Sequence, residues 1–175
     1  MEATGEGRGN GDEINAACAV QLPSGEQSDE AEERSKAEAE GYVRAASVAE
    51  VKAAPSRKWK CLQVEKRSVT FFHQDDHIYA LDSWCYHNGG GLMRGDIEDF
   101  GGRLAVRCPL HSYRIALETG EGLYMGMIGG VKSKGVKQRV HPVKIIGDHV
   151  YIKISKPKQT NTPEVQSDCY QFIRG

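Results

Sequence analysis

The chain has 175 residues, 20 of them glycine, with 23 Lys and Arg against 24 Asp and Glu. That is room for one ordinary domain with tails, which excludes a multidomain oxygenase or a large two-domain dehydrogenase. The near-neutral total hides an asymmetry. Residues 1–40 carry 11 acidic and 3 basic side chains, and the remainder carries 13 acidic and 20 basic, so a basic body follows an acidic leader.

Residues 1–40 read as a disordered acidic leader, because Gly25–Glu40 holds almost no large apolar side chain to offset chain entropy. Ala and Glu over Asp29–Glu40 permit at most a transient helix. The leader has no apolar signal core, no apolar run is long enough to span a bilayer, and Glu2 stands where myristoylation needs glycine. Five cysteines form an odd, sparse set, which is no disulfide framework and points to a reducing compartment, with the cytoplasm as the expected location.

Order is expected from Gly41. Tyr42–Arg44 reads as a short strand and Ser47–Val51 as a helical turn capped by Ser47. Trp59–Val64, Val69–His73 and Ile78–Asp82 are β-type runs, the last two joined as a hairpin through Gln74-Asp75-Asp76. Arg103–Val106 and Tyr113–Leu117 are further strands, and Thr119–Gly122 is a turn. Met125–Gln138, rich in Gly and Lys, reads as a mobile loop. Arg139–Ile146 and His149–Ser155 flank Gly147-Asp148, a second hairpin signal. Residues 156–175 read as a tail lying on the surface or free. Short strands at this spacing predict an all-β fold, a small antiparallel sandwich or barrel.

Two motifs carry the chemistry. Cys85-Tyr86-His87-Asn88-Gly89-Gly90-Gly91 and Cys108-Pro109-Leu110-His111-Ser112-Tyr113 each pair a thiol with an imidazole, and each follows a strand. Three readings fit: a structural Cys₂His₂ zinc site, a [2Fe–2S] cluster in which two His replace two Cys on one iron, or two pairs that merely pack. Zinc knuckles usually supply Cys with Cys and His with His. One of each from both loops suits two inequivalent metals instead.

At these residues the chain resembles the Rieske family. Cys85-x-His87, Cys108-Pro109-Leu110-His111, the glycines after the first loop, Thr119-Gly120-Glu121 after the second and Ile78–Asp82 before the first all fit its pattern. The likeness spans about residues 41–155 and is strongest to stand-alone, soluble, ferredoxin-type members, through Gly95–Phe100. The twenty residues between the loops exceed the usual gap slightly, and Asp99–Arg103 can absorb the excess as a turn. The resemblance implies three segments: a leader (1–40), a Rieske domain with a two-loop cluster-binding subdomain (41–155) and a tail (156–175).

It also implies one [2Fe–2S] cluster per chain, with Cys85 and Cys108 on the inner iron and His87 and His111 on the outer. Two ferric ions, two sulfides and two thiolates carry no net charge, so one electron makes the site a monoanion, suited to electron transfer. Respiratory members join a disulfide across the cluster, which Gly90 and Leu110 cannot form, and place a serine donor where Tyr113 stands. A potential near the low end of the Rieske range, about −150 to +300 mV, follows.

The implied function is one-electron transfer between a reductase and a redox-enzyme acceptor, an oxygenase among them. No catalytic residues are expected, since an oxygenase would need a second iron site of two His and a carboxylate. The alternative is a regulatory binding module that uses the same cluster to sense redox state or iron. Tyr86, Leu110 and Met93 are expected to cover the site. His73, His77, His141 and His149 lack ligand-like spacing and read as strand or loop residues, and Cys61 as a small buried hydrophobe. Asp96, Glu98 and Asp99 read as a solvated turn. Lys132, Lys134, Lys137 and Arg139 form a basic loop that reads as solvated before it reads as a nucleic-acid patch, for which no motif or stacking platform is present, with docking of an acidic electron-transfer partner as the intermediate reading.

Overall fold

The computed structural model describes residues 26–54, 58–74, 76–156 and 164–171, with the side chains of 26–28 and 58–63 outside that set. Three antiparallel sheets make the body. Strand β1 (Val43–Ser47) pairs with β12 (His149–Ile152), which pairs with β11 (Val143–Ile146). A second sheet runs β10 (Val140–His141), β4 (His77–Asp82), β3 (Arg67–Gln74), β2 (Lys58–Val64). The third is a meander of β5 (Asp96–Asp99), β6 (Leu104–Arg107), β7 (Arg114–Ala116), β8 (Glu121–Met125) and β9 (Val131–Val136).

Strand β10 hydrogen-bonds directly to β4, with Val140 opposite Leu81 and His141 opposite Ala80. The meander and both Cys/His motifs therefore form an excursion between two neighbouring strands of the base. This is the predicted all-β architecture with its two-loop subdomain.

Strand β3 is the spine. Successive side chains point to opposite faces, and both faces are covered. Phe71 packs with Val69, Ala80, Val150 and Ile152 between the first two sheets. Phe72 packs with Leu81, Cys85, Val106, Cys108, Ile115 and Leu117 toward the motifs. Each phenyl ring is fully buried, about 2–3 kcal/mol of apolar transfer apiece. Ser47 caps the short helix α2 (Val48–Lys52) as expected: its side chain accepts from the Glu50 amide while the Glu50 carboxylate accepts from the Ser47 N–H.

The structure departs from the sequence reading in four places. Glu26–Ala39 forms a helix, α1, where a solvated leader was expected. Ala37 is buried in it against Ile146 and Tyr151, and Lys144 Nζ reaches Glu40 at 2.7 Å. A single small apolar side chain in a polar stretch suffices because it docks on a formed sheet. The rest of the predicted leader, residues 1–25, lies outside the described residues.

Met125–Gln138 is not a loop. It holds β9, which returns along β8 through a turn at 126–130. Ser133 Oγ donates to Glu121 Oε1 at 2.6 Å, and Arg103 pairs with the same carboxylate. With Thr119, these donors lower the Glu121 pKa to about 2.

Asp96–Asp99 is a strand and not a solvated turn. Arg107 Nη2 donates to Asp96 at 3.0 Å, and the Arg114 guanidinium pairs with Glu98 across the sheet. The five residues Asp99–Arg103 do turn as expected, closed by Phe100 N–H to the Arg103 carbonyl at 2.9 Å.

Finally, Gln166–Tyr170 is a 3₁₀ helix with Ser167 and Asp168 buried, so this part of the predicted tail is built into the body.

Candidate metal centre

The first motif leaves the end of β4 and doubles back on itself. Cys85 N–H donates to the Gly90 carbonyl at 2.8 Å and Gly89 N–H to the Cys85 carbonyl at 2.9 Å. Gly89 supplies the left-handed conformation (φ +63°) that closes this turn. A side-chain amide clamps the loop from beneath. Gln138 Oε1 accepts from Tyr86 N–H at 3.0 Å, while its Nε2 donates to the carbonyls of Asp82 and Trp84, each at 2.9 Å.

The second motif turns between β6 and β7. Cys108 N–H donates to the Tyr113 carbonyl at 2.8 Å, and Ser112 N–H to the Cys108 carbonyl at 2.9 Å.

These turns bring the four residues together in two like pairs. Cys85 and Cys108 are buried, at 1% and 2% exposure, and free of disulfide. The pairing of the two sulfurs pushes the Cys85 thiol up, with burial adding to the effect, and lowers the Cys108 thiol. Thiolate, the form that binds metal, is thus favoured at Cys108.

His87 is half-buried and His111 exposed. Their Nδ1 atoms stand 3.2 Å apart, with ring planes at 89°. Imidazole nitrogens bind first-row ions at about 2.0–2.1 Å, so two on one tetrahedral ion lie roughly 3.4 Å apart. Among the described residues, no three Cys, His, Asp or Glu side chains converge on a single point. A mononuclear zinc site requires such convergence. A soft sulfur end and a separate nitrogen end fit a dinuclear iron–sulfur group with mixed ligation.

Aromatic rings frame the nitrogen end. Tyr113 stacks on His87 with centroids 4.1 Å apart and planes within 15°. Lys134 Nζ sits 4.7 Å over the Tyr113 ring. Tyr86, buried beside the sulfurs, meets Tyr113 edge-on at 5.7 Å. Burial, with Cys85 nearby, pushes the Tyr86 pKa up and keeps its phenol protonated. Leu110, expected as cover, is about half exposed. His73, His77 and His149 lie in β3, β4 and β12. His141 is buried on Asp82, its Nε2 3.1 Å from Oδ1, while its Nδ1 accepts from Ser155 N–H. Cys169 is exposed. Cys18 and the Cys61 side chain lie outside the described residues.

Sequence reasoning missed the support beneath the loops. Asp82 receives Arg67 on both oxygens, at 2.7 and 2.8 Å, and Ser167 Oγ at 2.7 Å. Arg139, read as part of a basic loop, is buried and bonds Asp168 through Nε at 2.9 Å and Nη2 at 2.7 Å. Gln138 and Tyr170 carry no spacing signal. Their roles arise only when distant segments meet.

Comparison with known proteins identifies the family. The family model described as soluble Rieske-type ferredoxin matches residues 52–157. A human Rieske domain-containing protein is 42% identical over 99 residues, covering 53% of this chain and 63% of that protein, so the chain spans less than two-thirds of this relative. The ferredoxin subunit of a 3-phenylpropionate/cinnamic acid dioxygenase from Photorhabdus laumondii is 28% identical over 88 residues, or 50% of this chain and 74% of that one. The fold matches the ferredoxin of carbazole 1,9a-dioxygenase from Nocardioides aromaticivorans IC177, with TM-score 0.51, 20% identity, and coverage of 65% of this chain and 98% of that one. It also matches a ferredoxin of Sphingomonas yanoikuyae B1, with TM-score 0.50, 19% identity, and coverage of 65% and 99%. The chain belongs to the soluble Rieske-type ferredoxins, and its cofactor is a Rieske-type [2Fe–2S] cluster.

Proposed function

We propose that Cys85 and Cys108 bind one iron of this cluster and His87 and His111 the other. The observation that carries this assignment is the pairwise meeting of buried sulfurs and solvent-facing imidazoles, with Nδ1 atoms 3.2 Å apart. When bound, the cluster supplies a one-electron couple between a neutral and a singly negative centre. The chain's own residues do the rest. Phe72, Leu81, Val106 and Ile115 exclude water from the sulfur end. Tyr113 holds the His87 ring by stacking, and the exposed His111 edge offers a short path to a docked partner.

The protein acts as an electron carrier between a reductase and a redox-enzyme acceptor. It is not itself an enzyme, and it works in the reducing cytoplasm. The dioxygenase ferredoxin among its relatives favours an oxygenase as acceptor. The second loop carries Leu110 and Tyr113 where high-potential members of the family place a disulfide cysteine and a serine donor. Fewer hydrogen bonds stabilise the reduced, more negative cluster less, so the midpoint belongs near the low end of the Rieske range, about −150 mV. Anaerobic redox titration monitored by EPR tests this reading. A single one-electron wave below zero is expected, and a midpoint well above zero overturns it.

The side of approach is proposed as well. Lys134 sits over Tyr113, the ring that stacks on His87, and exposed Lys132 lies two residues before Lys134 on β9. Exposed Met125, Met127 and Ile128 on the β8–β9 hairpin add apolar surface. An acidic partner surface with an apolar centre is the complement.

A further inference from the structure

We propose that Val165–Gln171 is a strap that positions the His87 loop, with Tyr170 as the positioning residue; this rests on the reading of His87 as a cluster ligand. The strap lies beyond residues 52–157, the span matched by the family model.

Its anchor is polar and buried. Asp168 accepts from Arg139 and from Arg67, and Ser167 Oγ donates to Asp82 Oδ2 at 2.7 Å. Ser167 N–H donates to the Lys137 carbonyl at 3.0 Å, and Ser167 Oγ accepts from Arg139 N–H at 3.0 Å. Gln171 Oε1 accepts from Ser68 N–H at 3.2 Å. Two buried carboxylates, Asp82 and Asp168, thus face the guanidinium groups of Arg67 and Arg139, with Glu164 also on Arg139 at 3.4 Å and His141 on Asp82 at 3.1 Å, so a segment with few apolar side chains stays seated.

Asp82 ends β4, three residues before Cys85, which fixes the strap to the root of the loop. Tyr170 reaches the crown of the same loop. Its Oη donates to the His87 carbonyl at 2.9 Å, and its ring lies on the turn, with Cδ1 3.2 Å from where a Gly89 Cβ would stand.

The contact is selective. The Cys85 end is held by contacts that do not involve Tyr170: its own bond to the Gly90 carbonyl, and Gln138 on Tyr86. At the His87 end, Tyr113 holds the ring and Tyr170 holds the backbone. Tyr170 therefore sets how far the histidine can swing while leaving the sulfur end alone.

The test uses the full, cluster-loaded chain and its Tyr170→Phe and Tyr170→Ala variants. Amide hydrogen exchange is read across residues 86–90, and ¹⁵N-histidine coupling is read by pulsed EPR on the reduced protein. Tyr170→Phe keeps the ring and removes one hydrogen bond, so exchange at 87–89 rises about three- to tenfold. Tyr170→Ala raises it further. Exchange in β3 and β12 stays at the wild-type rate, and the coupling of one histidine nitrogen broadens while the other holds.

Unchanged exchange at 87–89 in both variants overturns the strap. Faster exchange with both nitrogen couplings unaltered overturns the positioning role. Absence of histidine coupling in the wild type overturns the ligand assignment instead, and the strap then stands or falls on exchange alone.

Discussion

Gly90 lies against the sulfur of Cys108: a Cβ on that glycine would stand 2.7 Å from Sγ and 3.1 Å from the Leu110 Cβ. The two motifs can close on each other because one of them presents bare backbone at this point. Gly90→Ala therefore forces the loops apart where the thiols must converge. Overpacking of this kind costs about 1–3 kcal/mol. Iron per purified chain and visible absorption should both fall, while circular dichroism of the sheets is retained. Full iron loading in this variant would contradict the proposed closure.

The buried carboxylates make stability depend on acid. Burial alone would raise the pKa values of Asp82 and Asp168, but His141 and Arg67 outweigh it at Asp82, and Arg139 and Arg67 at Asp168, so both lie below the ordinary carboxylate value. A folded pKa below the unfolded one gives stability that is present above about pH 4 and is lost as pH falls through the lower folded values. The melting temperature should hold from neutrality to near pH 4 and then decline. Asp168→Asn leaves Arg67 and Arg139 short of a partner and should cost about 3–5 kcal/mol at neutral pH. A melting temperature within error of wild type would contradict the network's role.

Tyr113 occupies the position proposed to keep the potential low. Its ring is sandwiched between His87 and Lys134. Tyr113→Ser offers a small hydroxyl in its place. One added hydrogen bond to the reduced cluster, about 1.4 kcal/mol, raises a one-electron potential by about 60 mV. Redox titration of the variant against wild type checks this, and an unchanged or lower midpoint counts against the assignment.

Partner docking through Lys132 and Lys134 predicts a rate that depends on salt. Raising ionic strength from 0.05 to 0.5 M, which shortens the Debye length from roughly 14 to 4 Å, should slow reduction by the reductase. Lys134→Glu should slow it about three- to tenfold at low salt and flatten the salt dependence. Stopped-flow traces that ignore both changes would remove the basic face from the docking surface.

Much of this was legible in the residues, and the rest was hidden for identifiable reasons. Short β-type runs with the Gln74-Asp75-Asp76 and Gly147-Asp148 turns located the base hairpins, and the Ser47 cap located α2, because these signals are local. The two Cys/His motifs stood out because thiol–imidazole pairs rarely recur by chance. The β9 strand was hidden because its register depends on Ser133 meeting Glu121 across the sheet. The Asp96–Asp99 strand looked like a solvated turn because its charges are neutralised by Arg107 and Arg114 on other strands. The strap was invisible for the same reason: Asp168 in a polar stretch reads as exposed until Arg67, 101 residues away in sequence, is brought to it.

The central claim is that one metal end carries two sulfurs and the other two histidine nitrogens. Pulsed EPR of the reduced wild-type protein, grown with ¹⁵N-histidine, reads this directly. Two distinct histidine-nitrogen couplings to the unpaired electron are predicted, from His87 and His111. A cluster signal with no histidine nitrogen, or with only one, would contradict the assignment.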